Sequence, residues 1–240
     1  MSKLIAICGS PSSGKTTAGI KIAQEVYFTK NVPVLYLSPD VNTPALSLIF
    51  PRYKKESLQS FGKLMDKISI TSEDVLKQTV HSDKMKDFGF LGLKLSENRY
   101  SYPTPTEDKV HELFRACAKI APYVFVDCQS HFDDMFSVMA KLRADSIIQF
   151  ITADLKCMGY YSSYEGQYEA IENKAKKVLN INDRDVFLPI DEVKKHFKNV
   201  EYELPFSLSL KQQTIAGTLP DRITDMKFRR ACAKIAKAVL

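Results

Sequence analysis

The chain has 240 residues, 45% of them apolar and 26% charged, with a net charge of +6. That is the composition of a soluble globular protein, and the length suits one α/β domain with a large core spanning residues 1–240. No apolar run is long enough to cross a bilayer, and the first residues lack the apolar region and cleavage site of a secretory signal, so the chain reads as cytoplasmic.

Residues 3–8 (KLIAIC) form a short apolar run ending at a glycine, the pattern of a buried strand. Residues 15–29 place Ala18, Ile22, Val26 and Tyr27 on one helix face. A second strand is predicted at 32–37, helical or irregular structure at 43–50 and 58–68, and another strand at 86–95. Two prolines among hydroxyl residues make 99–106 a loop, and Thr106 then caps a helix over 107–120. The strand at 123–126 ends on Asp127. A helix at 134–142, a strand at 146–151, a helix at 164–174, short strands at 176–180 and 200–205 and a closing helix at 224–240 complete the chain. Strands alternating with helices predict a doubly wound, mostly parallel sheet with helices on both faces. The string RACAKIA occurs at 115–121 and again at 230–236. Nothing around the two copies matches, so both read as small-residue helices packing on the sheet rather than as a duplication.

The five cysteines (Cys8, Cys117, Cys128, Cys157, Cys232) include no CxxC pair and no histidine at zinc-ligand spacing, which predicts reduced, buried thiols. The last helix carries Lys227, Arg229, Arg230, Lys234 and Lys237. Its apolar face is small and alanine-rich, so it reads as packed on the sheet rather than laid on a membrane. Arg52, Lys54 and Lys55 around Tyr53 could meet nucleic-acid phosphates, though a solvated surface is the simpler reading.

The chemistry concentrates at one loop. Gly9-Ser10-Pro11-Ser12-Ser13-Gly14-Lys15-Thr16 fits G-x-x-x-x-G-K-[ST] in full, follows a predicted strand and, with Thr17, opens a predicted helix. Such a loop turns successive N–H groups and a helix N-terminus toward phosphates. Lys15 neutralises the β- and γ-phosphates and the Thr16 hydroxyl takes a Mg²⁺ site. Asp127, at a strand end, is placed to reach the same Mg²⁺. Asp40, just past the second strand, can position Mg²⁺ or an attacking water, or simply close a turn before Thr43-Pro44.

With that loop, VLYLSPD at 34–40, YVFVDCQS at 123–130, KKVLN at 176–180 and ELPF at 203–206, the chain resembles the ParA/MinD-like P-loop ATPases of the SIMIBI class, over nearly its whole length. Within that class its spacing is closest to the pilus-localisation members, without their receiver-like N-terminal domain. The resemblance implies ATP bound at the strand C-termini, often between two copies of the protein, and work in positioning chromosomes, plasmids, division machinery, pili or conjugation proteins. It also implies that Asn180 reads the adenine edge, with Pro205 and Phe206 bordering the base. A guanine-specific NKxD is absent, since Asn173-Lys174 runs on into Ala175-Lys176. The loop is non-standard. Ser10 stands where these proteins have a lysine that crosses to the partner's nucleotide, Pro11 and Ser12 replace glycines, Ser38 replaces an aspartate, and Gln129 replaces a proline. The expectation is a nucleotide-switched positioning or assembly protein that forms an ATP-dependent homodimer or engages a pilus, conjugation or partition partner, with slow or absent hydrolysis. A small-molecule kinase and a DNA-binding partition ATPase are the alternatives.

Overall fold

In the computed structural model the first strand, β1 (Lys3–Gly9), lies between β5 (Tyr123–Asp127) and β6 (Ser146–Ile151), parallel to both. Residues 2–53, 58–131, 133–186 and 188–240 are described. Among them the other strands are β2 (Val34–Ser38), β3 (Val80–Ser82), β4 (Met85–Gly92), β7 (Ala175–Asn180) and β8 (Val200–Leu204). The helices are α1 (Lys15–Lys30), α2 (Leu46–Ile49), α3 (Ser72–Gln78), α4 (Glu107–Ile120), α5 (Met135–Arg143), α6 (Leu155–Ser163), α7 (Glu165–Glu169), α8 (Ile190–Phe197), α9 (Leu208–Ala216) and α10 (Met226–Val239). The eight strands form one sheet in the order β3-β4-β2-β5-β1-β6-β7-β8, parallel except where β3 meets β4. The doubly wound α/β architecture follows.

Handedness explains which helix covers which face. From β1 the chain winds through α1 to β2 in one direction; from β4 it winds back through α4 to β5 and on to β6, β7 and β8 in the other. Right-handed crossovers must then lie on opposite faces. Accordingly α4, α5, α6 and α8 pack on the face carrying Ala6, Leu37 and Val126, while α1 and α10 pack on the face carrying Ile5, Tyr36 and Phe125. The two RACAKIA copies therefore sit on opposite faces: Cys117 and Ala121 are buried under α4, Cys232 and Ala236 under α10. All five cysteines are buried and free. The basic closing helix packs on α1 and β8, with its lysines turned outward.

The structure corrects several predicted elements. The helix expected at 164–174 is only the short α7 followed by a 3₁₀ turn at Glu172–Lys174. The real helix after β6 is α6, whose low-propensity GYYSS end hides it and whose start is fixed by Asp154 accepting from Cys157 N. α9 buries no residue and so has no apolar periodicity to read; Ser207 and the left-handed Gly217 bound it. α3, α8 and the edge strand β3 were also not predicted.

One buried cation ties α1 to the turn between α9 and α10. Lys21 is 1% exposed, and its Nζ donates to the carbonyls of Leu219 and Asp221, each at 2.6 Å. One helical turn on, Gln24 Nε2 donates to Pro220 O at 2.6 Å. Burial pushes the Lys21 ammonium down to about 7, and the carbonyls stand in for the lost water. Lys21→Ala would leave two carbonyls without their donor and a cavity behind. We expect a loss of about 3 kcal/mol in global stability, read as a lower urea midpoint, with faster amide exchange concentrated at 217–225. Stability unchanged within about 0.5 kcal/mol, the range of an ordinary surface substitution, would show that this lysine does not anchor the turn.

Candidate functional site

The turn from β1 into α1 is built for close backbone approach. Gly14 caps α1 at φ 75°, and Ser12 adopts φ 62°. A Cβ on Gly14 would meet Asn180 Nδ2 at 2.6 Å, so the position needs glycine for both space and conformation. Gly9 is similarly tight, its added Cβ falling 2.9 Å from the Phe150 carbonyl. Ser12, which replaces a glycine of the resembling loops, takes the left-handed conformation a glycine would take, at a steric cost of about 1 kcal/mol. Pro11 and Ser12 form the exposed crest, while Ser10 and Ser13 are buried. Thr17 closes the first helical turn by donating to Gly14 O at 3.0 Å.

Thr16 and Asp127 meet beneath the loop. Thr16 Oγ1 donates to Asp127 Oδ2 at 2.7 Å, and Ser38 Oγ donates to the same oxygen at 3.3 Å. Asp127 Oδ1 is buried and has no hydrogen-bond partner among the described residues. Burial pushes this carboxyl up from 3.8 to about 6; the Asp40 charge adds to the rise, while Lys15 and the two hydroxyl bonds oppose it. A hydroxyl oxygen beside an unpartnered carboxylate oxygen is a hard-oxygen donor set, so these two residues fit Mg²⁺.

Asp40 lies close enough for its charge to act on Asp127, but its Oδ1 accepts from Asn42 N and Thr43 N, both at 2.8 Å. The turn-closing use is thus present, and Oδ2 alone is left to face a metal or water. Asn180 Nδ2 donates to Ser13 O at 2.8 Å, which spends one of its two amide N–H donors on the loop. Asn180, Pro205 and Phe206 nonetheless line one cleft of about 310 Å³ with Gly14, Thr17 and Lys211. Lys211 Nζ lies 5.0 Å from the centre of the Phe206 ring, with Arg184 Cζ at 5.4 Å.

Sequence reasoning misses Ser130 and Tyr160 here, and the bonding role of Gln129. Ser130 Oγ accepts from Lys15 Nζ at 2.8 Å and donates to Gly9 O at 2.9 Å, and Ser130 O accepts from Tyr160 OH at 2.8 Å. Gln129 bridges the segments that follow β2 and β5: it accepts from Asn42 Nδ2 at 3.1 Å and donates to Pro39 O at 3.3 Å. For Ser130 and Gln129 the only signal is their position in the YVFVDCQS string; Tyr160 carries none. A larger cavity of about 440 Å³ adjoins both segments, walled by Val41, Phe61, Met65, Phe136 and Gln129, with Arg99 and Tyr100 at its rim.

Of the apolar residues in these segments, Leu46, Ile49, Phe50 and Phe136 are core. Leu48 is exposed, Met135 is half-buried, and Phe132 lies outside the described residues. Leu95, Tyr100 and Leu155 are also exposed, on segments that follow β4 and β6. Arg52 donates to Ala216 O at 2.9 Å, whereas Lys54 and Lys55 lie outside the described residues. No helix among the described residues is long and apolar enough to cross a membrane.

No family model matches this chain, and no curated protein does. Solved structures do. A ParA family ATPase from Chlorobium tepidum TLS superposes with a TM-score of 0.79 at 12% identity, over 99% of each chain. MinD from Pyrococcus horikoshii OT3, complexed with Mg-ADP, gives 0.75 at 16% identity over 100% of this chain and 96% of that one. A putative plasmid partition protein from Borrelia burgdorferi B31, bound to AMPPNP, gives 0.71 at 13% identity over 99% and 98%. The chain thus has the fold of ParA and MinD ATPases.

The raised Asp127 pKa has a defined sign. Its folded value lies above its unfolded one, so the folded state takes up a proton between about pH 4 and 6. The carboxyl costs nothing below that window, progressively more through it, and a constant amount above it. Asp127→Asn should therefore raise the melting temperature of the ligand-free protein by a few degrees at pH 7, equivalent to about 1–3 kcal/mol. The gain should shrink toward zero as pH falls to 4. A loss of stability at pH 7 would contradict the buried, uncompensated carboxylate.

Proposed function

We propose that this chain binds ATP with Mg²⁺ through residues 9–17 and acts as a nucleotide-switched positioning or assembly protein. The observation that carries this reading is the unpartnered, buried Oδ1 of Asp127 beside the Thr16 hydroxyl, at the foot of a complete phosphate-binding loop. Thr16 and Asp127 hold the Mg²⁺, with Asp40 Oδ2 as an outer contributor. The ion neutralises phosphate charge when bound. Lys15 and the loop N–H groups take the phosphates. The cleft with Asn180, Pro205 and Phe206 takes the base, adenine in preference to guanine, and the Asn180 contribution is its carbonyl oxygen and its remaining amide N–H. The nucleotides in the MinD and Borrelia neighbours support the choice of ligand.

Hydrolysis is slow or absent in this reading. Ser10 is short, buried and uncharged, so nothing at that position can reach a second copy's nucleotide, and Ser38 brings no second carboxylate beside Asp127. Nucleotide state then acts on the contact surface. Leu48, Leu95, Tyr100 and Leu155 are exposed on the segments that leave the strand C-termini, and they suit a homodimer or a partner from pilus, conjugation or partition machinery. The setting is the cytoplasm, and residues 1–240 act as one unit. Nucleic acid is not favoured as the partner, because Arg52 is already engaged on Ala216.

A second reading, phosphoryl transfer to a small acceptor, is favoured by one feature: the cavity beside the post-strand segments with Arg99 at its rim. Transfer of labelled γ-phosphate to a metabolite pool would decide for it.

Calorimetry should give saturable Mg·ATP binding that Lys15→Ala weakens by at least a hundredfold, on the order of 3 kcal/mol, and GTP should compete less well than ATP. Unchanged binding in Lys15→Ala ends the assignment; equal competition by GTP removes the base-reading role of Asn180. Turnover by the purified protein should stay well below ~10 s⁻¹, while its mass by light scattering, or its capture of a partner, should differ between ADP and AMPPNP. Fast turnover abolished by Asp40→Ala, or identical behaviour in both nucleotide states, would overturn the switch.

A further inference from the structure

The geometry points to Ser130 as the positioning residue that holds Lys15 over the loop, so that one hydroxyl outside the phosphate-binding motif sets where the cation meets the nucleotide. The inference rests on the ATP-site reading above and adds to it a residue that no loop pattern contains.

A lysine side chain has four rotatable carbons and wanders unless something holds it. Here Nζ donates to Ser130 Oγ at 2.8 Å, and that hydroxyl uses its own proton on Gly9 O at 2.9 Å, at the first residue of the loop. The ammonium is therefore fixed by way of the loop's own backbone rather than drawn away from it. It has three N–H donors and spends one here, leaving two for phosphate oxygens.

Ser130 is itself held. Its carbonyl accepts from Tyr160 OH at 2.8 Å. That hydroxyl lies 2.9 Å from Tyr168 OH, and since Tyr160 has already donated its single proton, Tyr168 is the donor to it. Tyr160 stands on α6 and Tyr168 on α7, so the position of Lys15 is referred to the helices packed beside β6. Holding a charged donor in place before the ligand arrives reduces the ordering cost of binding. It acts on every ligand that carries phosphates and on none that lacks them.

The test compares ligands with and without phosphate on the full chain. Ser130→Ala should weaken Mg·ATP and Mg·ADP by about five- to twentyfold, less than the roughly ten- to hundredfold of losing a whole hydrogen bond to a charged group, because the Lys15 cation itself remains. Adenosine binding, followed by ligand-observed NMR, should stay within about twofold, as a surplus-free control for the base cleft and the fold. Ser130→Thr keeps the hydroxyl and should retain most of the affinity. In a Lys15→Ala background, Ser130→Ala should cost nothing further, because both act through one cation. Tyr160→Phe should shift Mg·ATP in the same direction by a smaller factor, and it serves if Ser130→Ala does not fold. Unchanged or tighter Mg·ATP binding in Ser130→Ala, or an equal loss for adenosine, overturns the inference while leaving the ATP site standing. Failure of the wild-type protein to bind Mg·ATP overturns both.

Discussion

A buried carboxylate, only partly compensated, lies in the crevice at the centre of the candidate site. Asp127 ends β5 beneath the loop, 4% exposed, with two hydroxyls on one oxygen and, among the described residues, no partner on the other. Two hydroxyl bonds, one of them long at 3.3 Å, offset only part of the several kcal/mol that burying an ionised carboxylate costs. The deficit is why its pKa climbs toward 6. It is also a standing attraction for any cation that reaches Oδ1, since the desolvation has already been met by folding. Ser38 matters in this light. An aspartate at that position would set a second negative charge against Asp127, whereas the serine lends a proton donor without adding to the repulsion.

That crevice exists because the chain reverses its winding direction. β1 sends its crossover one way and the later strands wind the other, so the C-terminal ends of β1, β5 and β6 face a gap that no crossover helix fills. Ligands of open parallel sheets bind at such reversals. The loop after β1 takes two left-handed residues to turn into α1 there, and only one of them is glycine. The strain at Ser12 is small beside what holds the loop, with Asn180 on Ser13 O and Asn182 on Ser12 O. These two side chains come from the end of β7 and the segment after it, so the loop is clamped from the far side of β6.

How much of this could be read in the sequence depended on how local the cause was. The loop, Thr16 and Asp127 were legible because motif spacing and a strand end are local properties, and the parallel sheet was legible because buried strands are continuous apolar runs. α9 was not, since it buries nothing and so leaves no periodicity. Ser130, Gln129 and Tyr160 were not either, because their roles come from contacts 115, 87 and 30 residues away in the chain. The bond from Asn180 to the loop is hidden for the same reason: one of its two amide N–H groups goes to Ser13 O, 167 residues off, a pairing that only the tertiary structure creates. Asp40 was left open between turn and metal, and the turn bonds are there.

Gln129 suggests how a nucleotide-dependent change could work in this chain. A proline at that place could make neither of its side-chain bonds, to Asn42 and to Pro39 O, and could not donate its backbone N–H to Ser137 Oγ at 2.7 Å. Here the segments after β2 and β5 are tied side chain to backbone and move as one body or come apart. The tie amounts to two neutral side-chain bonds, about 2 kcal/mol at most. Turning a two-state equilibrium from one side to the other takes about 5.5 kcal/mol of differential affinity. A phosphate and metal bound as proposed would make charge-assisted contacts there, and these are large enough to supply that difference against so weak a tie. On the proposed reading, what lies in the crevice, rather than the protein's own bonding, would decide how the two segments stand relative to each other.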